Sequence, residues 1–376
     1  MKPSALYLSV ICSIILLISS CSTGERLLKK GEYDQAVFKA VARLQKDKVN
    51  RTALKTLEQA YQFAVEDHLD NIKDAKISSD ILRWENILRE YEQLNYLNEK
   101  IKGCMVCRQE INSTKYISEI NEAKYKAAEI RYARGLKLLE ENNRVSAKQA
   151  YYDFERATDL YPDFKDSRIK MEDAYWAAVL KVVVEPVQVN SGIYKFSNDY
   201  FQNKIYEYLE NYEDRSFIKF YTPKEARSEK LIPHQVLSLN FRDFVVGQTY
   251  VKERVEVVNR DSVKIGTQNG KDVYGPVKAE VSVFEKTVTS AGLLSFRISD
   301  WKSKNIIKEE NIPGTYIWQD QWATYKGDKR ALNEDQKRLM SGREQRPPAP
   351  QDLFIEFTKP IYARLTDNIR QFYSRF

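Results

Sequence analysis

The hydrophobic pattern changes its period at Lys181, and that change restricts the fold more than any other feature of the chain. Before it, apolar residues return every three or four positions between charged ones, the spacing of one helix face. After it, β-branched and aromatic residues alternate with polar ones, the spacing of strands with one face covered. Runs of helices followed by runs of strands read as separate domains, here residues 21–180 and 181–376. Residues 1–20 belong to neither and are set aside as a targeting segment.

In the helical half, Leu27, Leu28, Val37, Val41 and Leu44 recur near helical spacing, with Gly31-Glu32-Tyr33 breaking the pattern. Arg51 to about Leu69 places Leu54, Leu57, Ala60, Tyr61, Ala64 and Val65 on one face. Ser79-Asp80 supplies a cap before Ile81, Trp84, Ile87 and Leu88, in a helix expected to run to Lys102 and stop at Gly103. A third pair sets Tyr125, Ala128, Tyr132, Gly135 and Leu139 beside Ala147, Ala150, Phe154, Ala157 and Leu160. A last helix, Asp166 to about Leu180, closes the array. The spacings Gly24, Leu27, Gly31, Tyr33, Ala36, Ala40 and Ala150, Phe154, Ala157, Leu160, Pro162 resemble the tetratricopeptide family. In that family small residues let paired helices approach while an aromatic fills the space between them. Glu141-Asn142-Asn143-Arg144 lengthens one turn, so the resemblance implies irregular units over residues 22–180.

In the second half, Val182-Val183-Val184 closed by Glu185-Pro186 reads as a short strand. A helix over 201–212, a strand over 217–221 and a short basic helix from Pro223 follow. Val236–Phe241 alternates, and Tyr250–Val258 alternates again, with Val251, Val255 and Val257 expected inward and Tyr250, Lys252, Arg254 and Glu256 outward. Asn269-Gly270 is a hairpin turn signal. Val277–Thr289 and Leu293–Asp300 read as two strands separated by Ser290-Ala291-Gly292. Gly314–Tyr325 is aromatic and alternating, Lys326–Met340 is polar, and Pro347, Pro348 and Pro350 mark a loop. Pro360–Phe376 is an amphipathic closing helix. The expected class is therefore multidomain: all-α tetratricopeptide-like repeats, then an α+β domain with a mainly antiparallel sheet. Leu294–Asp300, a polar turn and Ile306-Ile307-Lys308 resemble a hairpin of curli-secretion-type envelope lipoproteins.

At the start of the chain, Lys2 precedes an apolar run from Ala5 to Ile18, then Ser19, Ser20 and Cys21. That layout is a secretory signal peptide, and the run falls short of the roughly 20 residues that span a bilayer. Ile18-Ser19-Ser20-Cys21 resembles a bacterial lipobox, which implies diacylglycerol on the Cys21 thiol and cleavage just before it. Each buried acyl methylene contributes about 0.8 kcal/mol, so two or three chains would hold the protein on a membrane. By likeness to bacterial lipoproteins, Ser22 after the cysteine, with one acid in Ser22–Arg26, implies an outer membrane and a periplasmic orientation.

The chemistry of the mature chain is restricted. Sixty basic residues oppose fifty-three acidic ones, a formal charge of +7 (+6 without Lys2), spread without a basic block. Neither that balance nor export suits a nucleic-acid partner. Two histidines, His68 and His234, leave little for metal sites or acid–base catalysis. Nucleophile-elbow, zinc-protease and phosphate-loop motifs are absent. No catalytic residue, metal site or cofactor is expected, and the chain reads as a non-enzyme.

Apart from Cys12 and Cys21, the cysteines are Cys104 and Cys107. A redox pair needs a strand before it, whereas a helix precedes this one. Zinc needs two further ligands. A local disulfide in an oxidising compartment, closing too small a loop to stabilise much, is the favoured reading, with two thiols the variant. Tyr316, Trp318, Trp322 and Tyr325 form the best partner-surface candidate. Trp318 and Trp322 share a strand face, which suits core packing or a ligand surface. Two functions stay open: a noncatalytic envelope scaffold binding proteins through its helical repeats, or a glycan-binding or carbohydrate-active lipoprotein using Tyr316–Tyr325. The missing acid–base groups favour the scaffold.

Overall fold

The computed structural model describes residues 24–189, 199–212 and 217–376. The signal segment 1–20 and Cys21 lie outside the described residues. The chain divides into two compact units between Ala178 and Val179.

The first unit is helical: α1 Glu25–Lys29, α2 Tyr33–Lys46, α3 Arg51–Ile77, α4 Arg83–Lys102, α5 Met105–Glu110, α6 Ile117–Glu140, α7 Arg144–Leu160 and α8 Ser167–Ala178. Short connections fold consecutive helices against one another: α2 packs on α3, α3 on α4, α4 on α6, α6 on α7 and α7 on α8. Asn50 and Asn143 cap α3 and α7, each side-chain oxygen accepting a backbone N–H at 2.9 Å, from Ala53 and Ser146. The expected Ser79-Asp80 cap acts earlier. Asp80 accepts the Leu82 N–H at 2.9 Å in a local turn, and α4 starts at Arg83 without a side-chain cap. One interior gathers Ala36, Ala40, Leu44, Leu57, Ala60, Leu97 and Ile101. A second gathers Ile72, Ile87, Leu94, Ala123, Ala127, Ala157 and Phe164.

The second unit holds β1 Leu180–Val184, β2 Gln188–Val189, α9 Asp199–Tyr212, β3 Ile218–Tyr221, α10 Pro223–Ser228, β4 Gln235–Gln268, β5 Lys271–Asp300, β6 Ile306–Gly327, α11 Glu334–Ser341 and α12 Pro350–Tyr373. The six-stranded sheet runs β3-β1-β4-β5-β6, with β2 also on β4. β1 is parallel to β3 and to β4, and β2 is parallel to β4. Only β4, β5 and β6 are antiparallel neighbours. The sheet is thus mixed, which corrects the mainly antiparallel expectation. Helices α9 and α10 carry the chain back between β1, β3 and β4, and such crossovers make parallel neighbours.

The small-residue stretch Ser290-Ala291-Gly292 does not end a strand: Ser290 pairs with Tyr316 and Gly292 with Gly314 inside a continuous β5. Its smallness admits α12. A Cβ on Gly292 would stand 2.7 Å from the Phe357 ring, and one on Gly314 only 2.4 Å from the Phe357 carbonyl oxygen. Glycine inside a strand here marks a close approach, not a turn. The closing helix also starts earlier than expected, at Pro350, and holds Pro360 in its interior. Leu353, Phe354 and Phe357 extend the apolar face of Ile361, Leu365 and Ile369. The polar stretch after β6 forms α11, opened by reciprocal bonds between Asn333 and Gln336 at 2.8 and 2.9 Å.

The main core joins Val182, Val184, Leu237, Leu239, Phe296, Ile298 and Ile312 of the sheet to α9 and α12. A smaller core lies further along β4–β6, where Val277, Ala279, Val281 and Ala323 are covered by Ala331, Leu332, Leu339 and Met340. That core corrects the expected faces of β4. Glu256 and Val258 lie opposite Val281 and Ala279 on the covered side, while Val251, Val255 and Val257 are more than half exposed.

Candidate functional site

The titratable groups that sit deepest in the helical unit are tied to one another. His68 on α3 lies between two carboxylates, with Nδ1 2.6 Å from Glu90 on α4 and Nε2 3.1 Å from Asp34 on α2. Burial works against its charged form, but the hydrogen bonds and charges of Asp34 and Glu90 outweigh that and raise its pKa to about 9. In its charged form the ring donates from both nitrogens, to Glu90 and Asp34, and so clamps three helices. A second network centres on Asp153 of α7, which is fully buried. It accepts from Arg131 Nη1 at 2.8 Å and Arg134 Nε at 2.6 Å, while Arg131 and Arg156 also reach Glu85. In the second unit, the Lys181 backbone N–H donates to His234 Nδ1 at 2.9 Å. Among the described residues no group of His, Cys, Asp and Glu is placed to hold a metal ion, and no helix is long and apolar enough to cross a membrane.

Cys104 and Cys107 are joined as a disulfide. Cys104 caps α5 through its sulfur, and both residues are buried among Leu97, Ile101 and Ile111. Burial of this kind keeps the pair away from exchange partners.

The four aromatics of β6 do not form one surface. Tyr316, Trp318 and Trp322 share a face by even spacing, but Tyr316 and Trp318 pack on the main core. Trp322 lies further out, stacked on Phe284 of β5 with centroids 5.3 Å apart and planes 11° from parallel. Tyr325 stands opposite Val281 on the other face of the sheet. Next to the stack, the proline-bearing loop is fastened to the sheet. The Gln345 N–H donates to Asp320 at 2.7 Å, and Lys286 meets Glu344 at 2.7 Å.

Two concavities escape sequence reasoning, because each is assembled from distant segments. In the second unit a cavity of about 420 Å³ opens on the side of the sheet away from the main core. Its floor is Val183 and Val236, and its walls are Pro223, Ala226, Leu231, Pro233 and Trp301. Arg227, Lys230 and Glu185 supply charge; Glu185 accepts the Ser238 hydroxyl at 2.6 Å, and the Lys304 ammonium stands 3.5 Å over the Trp301 ring. The only local signal is a short basic helix bracketed by Pro223 and Pro233. In the helical unit, Leu28, Tyr33 and Phe63 with Glu25, Lys29, Arg51 and Lys55 line a groove of about 630 Å³. Both linings combine apolar side chains with cations and one carboxylate, Glu25 in the first unit and Glu185 in the second.

No family model matches the chain, and no curated protein does. Among solved structures, one described as a neuraminyllactose-binding hemagglutinin homolog from Helicobacter pylori aligns with 51% of this chain and 84% of its own. Identity is 13% and the TM-score 0.26. A likeness at that level carries no argument about fold, ligand or family.

Proposed function

We propose that this chain is a noncatalytic envelope lipoprotein, anchored in an outer membrane by acyl chains on Cys21 and facing the periplasm, whose helical unit scaffolds other envelope proteins. The construction of that unit supports the reading most. Successive helix pairs meet through alanine and glycine seams and present aromatic side chains to solvent: Phe63, Tyr96, Tyr125 and Tyr161 are each more than 40% exposed. Aromatic residues on a rigid helical surface are the type that dominates protein interfaces. The interlock of α6 and α7 supports the finer tetratricopeptide-like reading. The Phe154 ring lies 2.8 Å from where a Cβ on Gly135 would be, so the pair closes only because that position is glycine. The deepest charged groups are engaged in structural pairings, which favours a scaffold over an enzyme.

A glycan site at Tyr316–Tyr325 has less support, because two of the four rings pack on the core and Tyr325 faces the other side. The test is a crosslinked capture from intact cells with the full chain and a Tyr96→Ser/Tyr125→Ser/Tyr161→Ser variant. A defined set of envelope proteins recovered with the first and lost with the second is expected, at unchanged helical circular dichroism. Equal recovery, or no specific recovery with the unaltered chain, removes the scaffold reading. Anchoring is checked separately by incorporation of labelled palmitate, which Cys21→Ala should abolish.

A further inference from the structure

Strand β4 is 34 residues long, and among the described residues strands cover its outer edge only at its beginning. β1 pairs with Gln235–Leu237 and β2 with Asn240 and Phe241. Beyond Asp243 the described residues pair it on the β5 side alone. From Gln248 to Arg260 its register with β5 is unbroken, between one bulge before Gln248 and another after Arg260. Among the described residues no strand lies beside the outer row of backbone N–H and C=O groups of this regular run, the arrangement that templates the addition of another strand. Val251, Val255 and Val257, 54%, 54% and 51% exposed, stand along the same edge.

We propose that a second copy of this chain pairs with this edge, β4 against β4, antiparallel about a two-fold axis through Val255. Two features select that occupant. The first is strand direction. β4 and β6 both run antiparallel to β5, so they run the same way; joining β6 of one copy to β4 of the next by continuation would make a parallel pair. A two-fold axis instead sets β4 antiparallel to its copy and continues the β4–β5–β6 pattern, which is also the slightly more stable ladder. The second feature is charge. With Val255 on the axis, Arg254 stands opposite Glu256 of the copy and Glu256 opposite Arg254, Tyr250 stands opposite Arg260, and no like charges face each other.

Neighbouring registers fail that criterion. An axis through Arg254 or Glu256 opposes that residue to itself. An axis through Glu253 brings Lys252 against Arg254, and one through Val257 brings Arg254 against Arg260. Charges on an edge strand ordinarily prevent pairing. Here their order leaves one register free of like-charge opposition among axes 253 to 257, which favours a closed dimer over open-ended addition.

The test uses the full-length chain in membranes, with Val255→Cys, mild oxidation and a non-reducing gel. Two copies of residue 255 meet on the axis, so a disulfide-linked dimer is expected, at least tenfold more abundant than with Val251→Cys on the same edge. Arg254→Glu should remove that dimer, and Arg254→Glu/Glu256→Arg should restore it. An absent dimer, equal crosslinking at positions 251 and 255, or failure of the charge reversal to restore the link would each overturn the assignment. Arg254 is exposed, whereas Glu256 also accepts from Gln336 Nε2 at 2.6 Å, so a protease-resistance check on each variant separates loss of pairing from loss of fold.

Discussion

Gly314→Ala offers the sharpest test of how the second unit is held together. The added Cβ would stand 2.4 Å from the Phe357 carbonyl oxygen and 2.5 and 2.8 Å from two Ile361 side-chain atoms, where ordinary contact begins at 3.4 Å. The Ile361 side chain could turn aside, but the carbonyl is fixed in the interior of α12. The helix must therefore back away from β6 by about 1 Å, at a place where Phe357 and Ile361 are both 0% exposed. A radial gap of that size forfeits a quarter to a half of each lining contact, and overpacked cores lose about 1–3 kcal/mol. A backbone obstacle sets the cost near the upper end, about 3 kcal/mol. Alanine recovers about 0.5–1 kcal/mol of the entropy that glycine loses in a strand, leaving a net loss of about 2 kcal/mol. For a unit of about 200 residues, each kcal/mol lowers Tm by about 2–4 °C, so a fall of about 4–8 °C is expected.

Scanning calorimetry of the full chain, with the second unit followed by Trp fluorescence, measures it. Gly266→Ala is the control, because nothing lies within 4 Å of that Cβ, and its Tm should move by less than about 1 °C. An unchanged or raised Tm for Gly314→Ala, or equal losses at both positions, would refute the idea that α12 docks through a glycine slot.

Three further outcomes follow from the helical unit. His68 has a folded pKa raised from 6.5 to about 9, so its clamp stabilises fully below pH 6.5 and is lost as pH rises through 9; thermal stability should fall across that window in the native chain and stay flat in His68→Gln. Asp153→Ala removes one of the two carboxylates that hold Arg131 and leaves Glu85 as its partner, so the loss should fall below the roughly 3–5 kcal/mol of breaking an isolated buried pair. A loss of about 2 kcal/mol is expected, and an unfolding free energy from urea titration lowered by less than about 0.5 kcal/mol would count against the network. Cys104→Ala/Cys107→Ala opens a very small loop, so about 2 kcal/mol at most should be lost, with no further effect of reductant on the variant's denaturation curve; a larger loss would mean that the sulfurs support the helical interior by packing as well.

Much of the helical unit was legible in the sequence because each helix carries its own instructions. Gly103 stops α4, and the apolar repeat names the buried face without reference to a neighbour, whereas the caps at Asn50 and Asn143 were not read and the expected Ser79-Asp80 cap acts in a local turn instead. The turn at Asn269-Gly270 was legible for the same reason: both residues take positive φ, 52° and 76°, which that dipeptide tolerates. The small-residue stretch of β5 was not. A turn and a docking slot look alike in sequence, and only the arrival of α12, more than sixty residues later, decides between them.

The candidate sites divide along the same line. That Trp318 and Trp322 share a face follows from a period of two, but whether that face meets core or solvent depends on where α12 ends and the proline-bearing loop crosses. Alternation likewise separated Val255 from Glu256 without saying which would be covered, and the small core around Ala279 and Leu332 took the charged side. The His68 clamp joins residues 22 and 34 positions from it, and the Trp301 cavity joins three separate segments. The sequence by itself determined the helix faces, the stop at Gly103 and the change of period at Lys181. Strand direction, the covered face of β4 and both concavities came from tertiary structure, because a local pattern records that a residue is to be buried and not what will bury it.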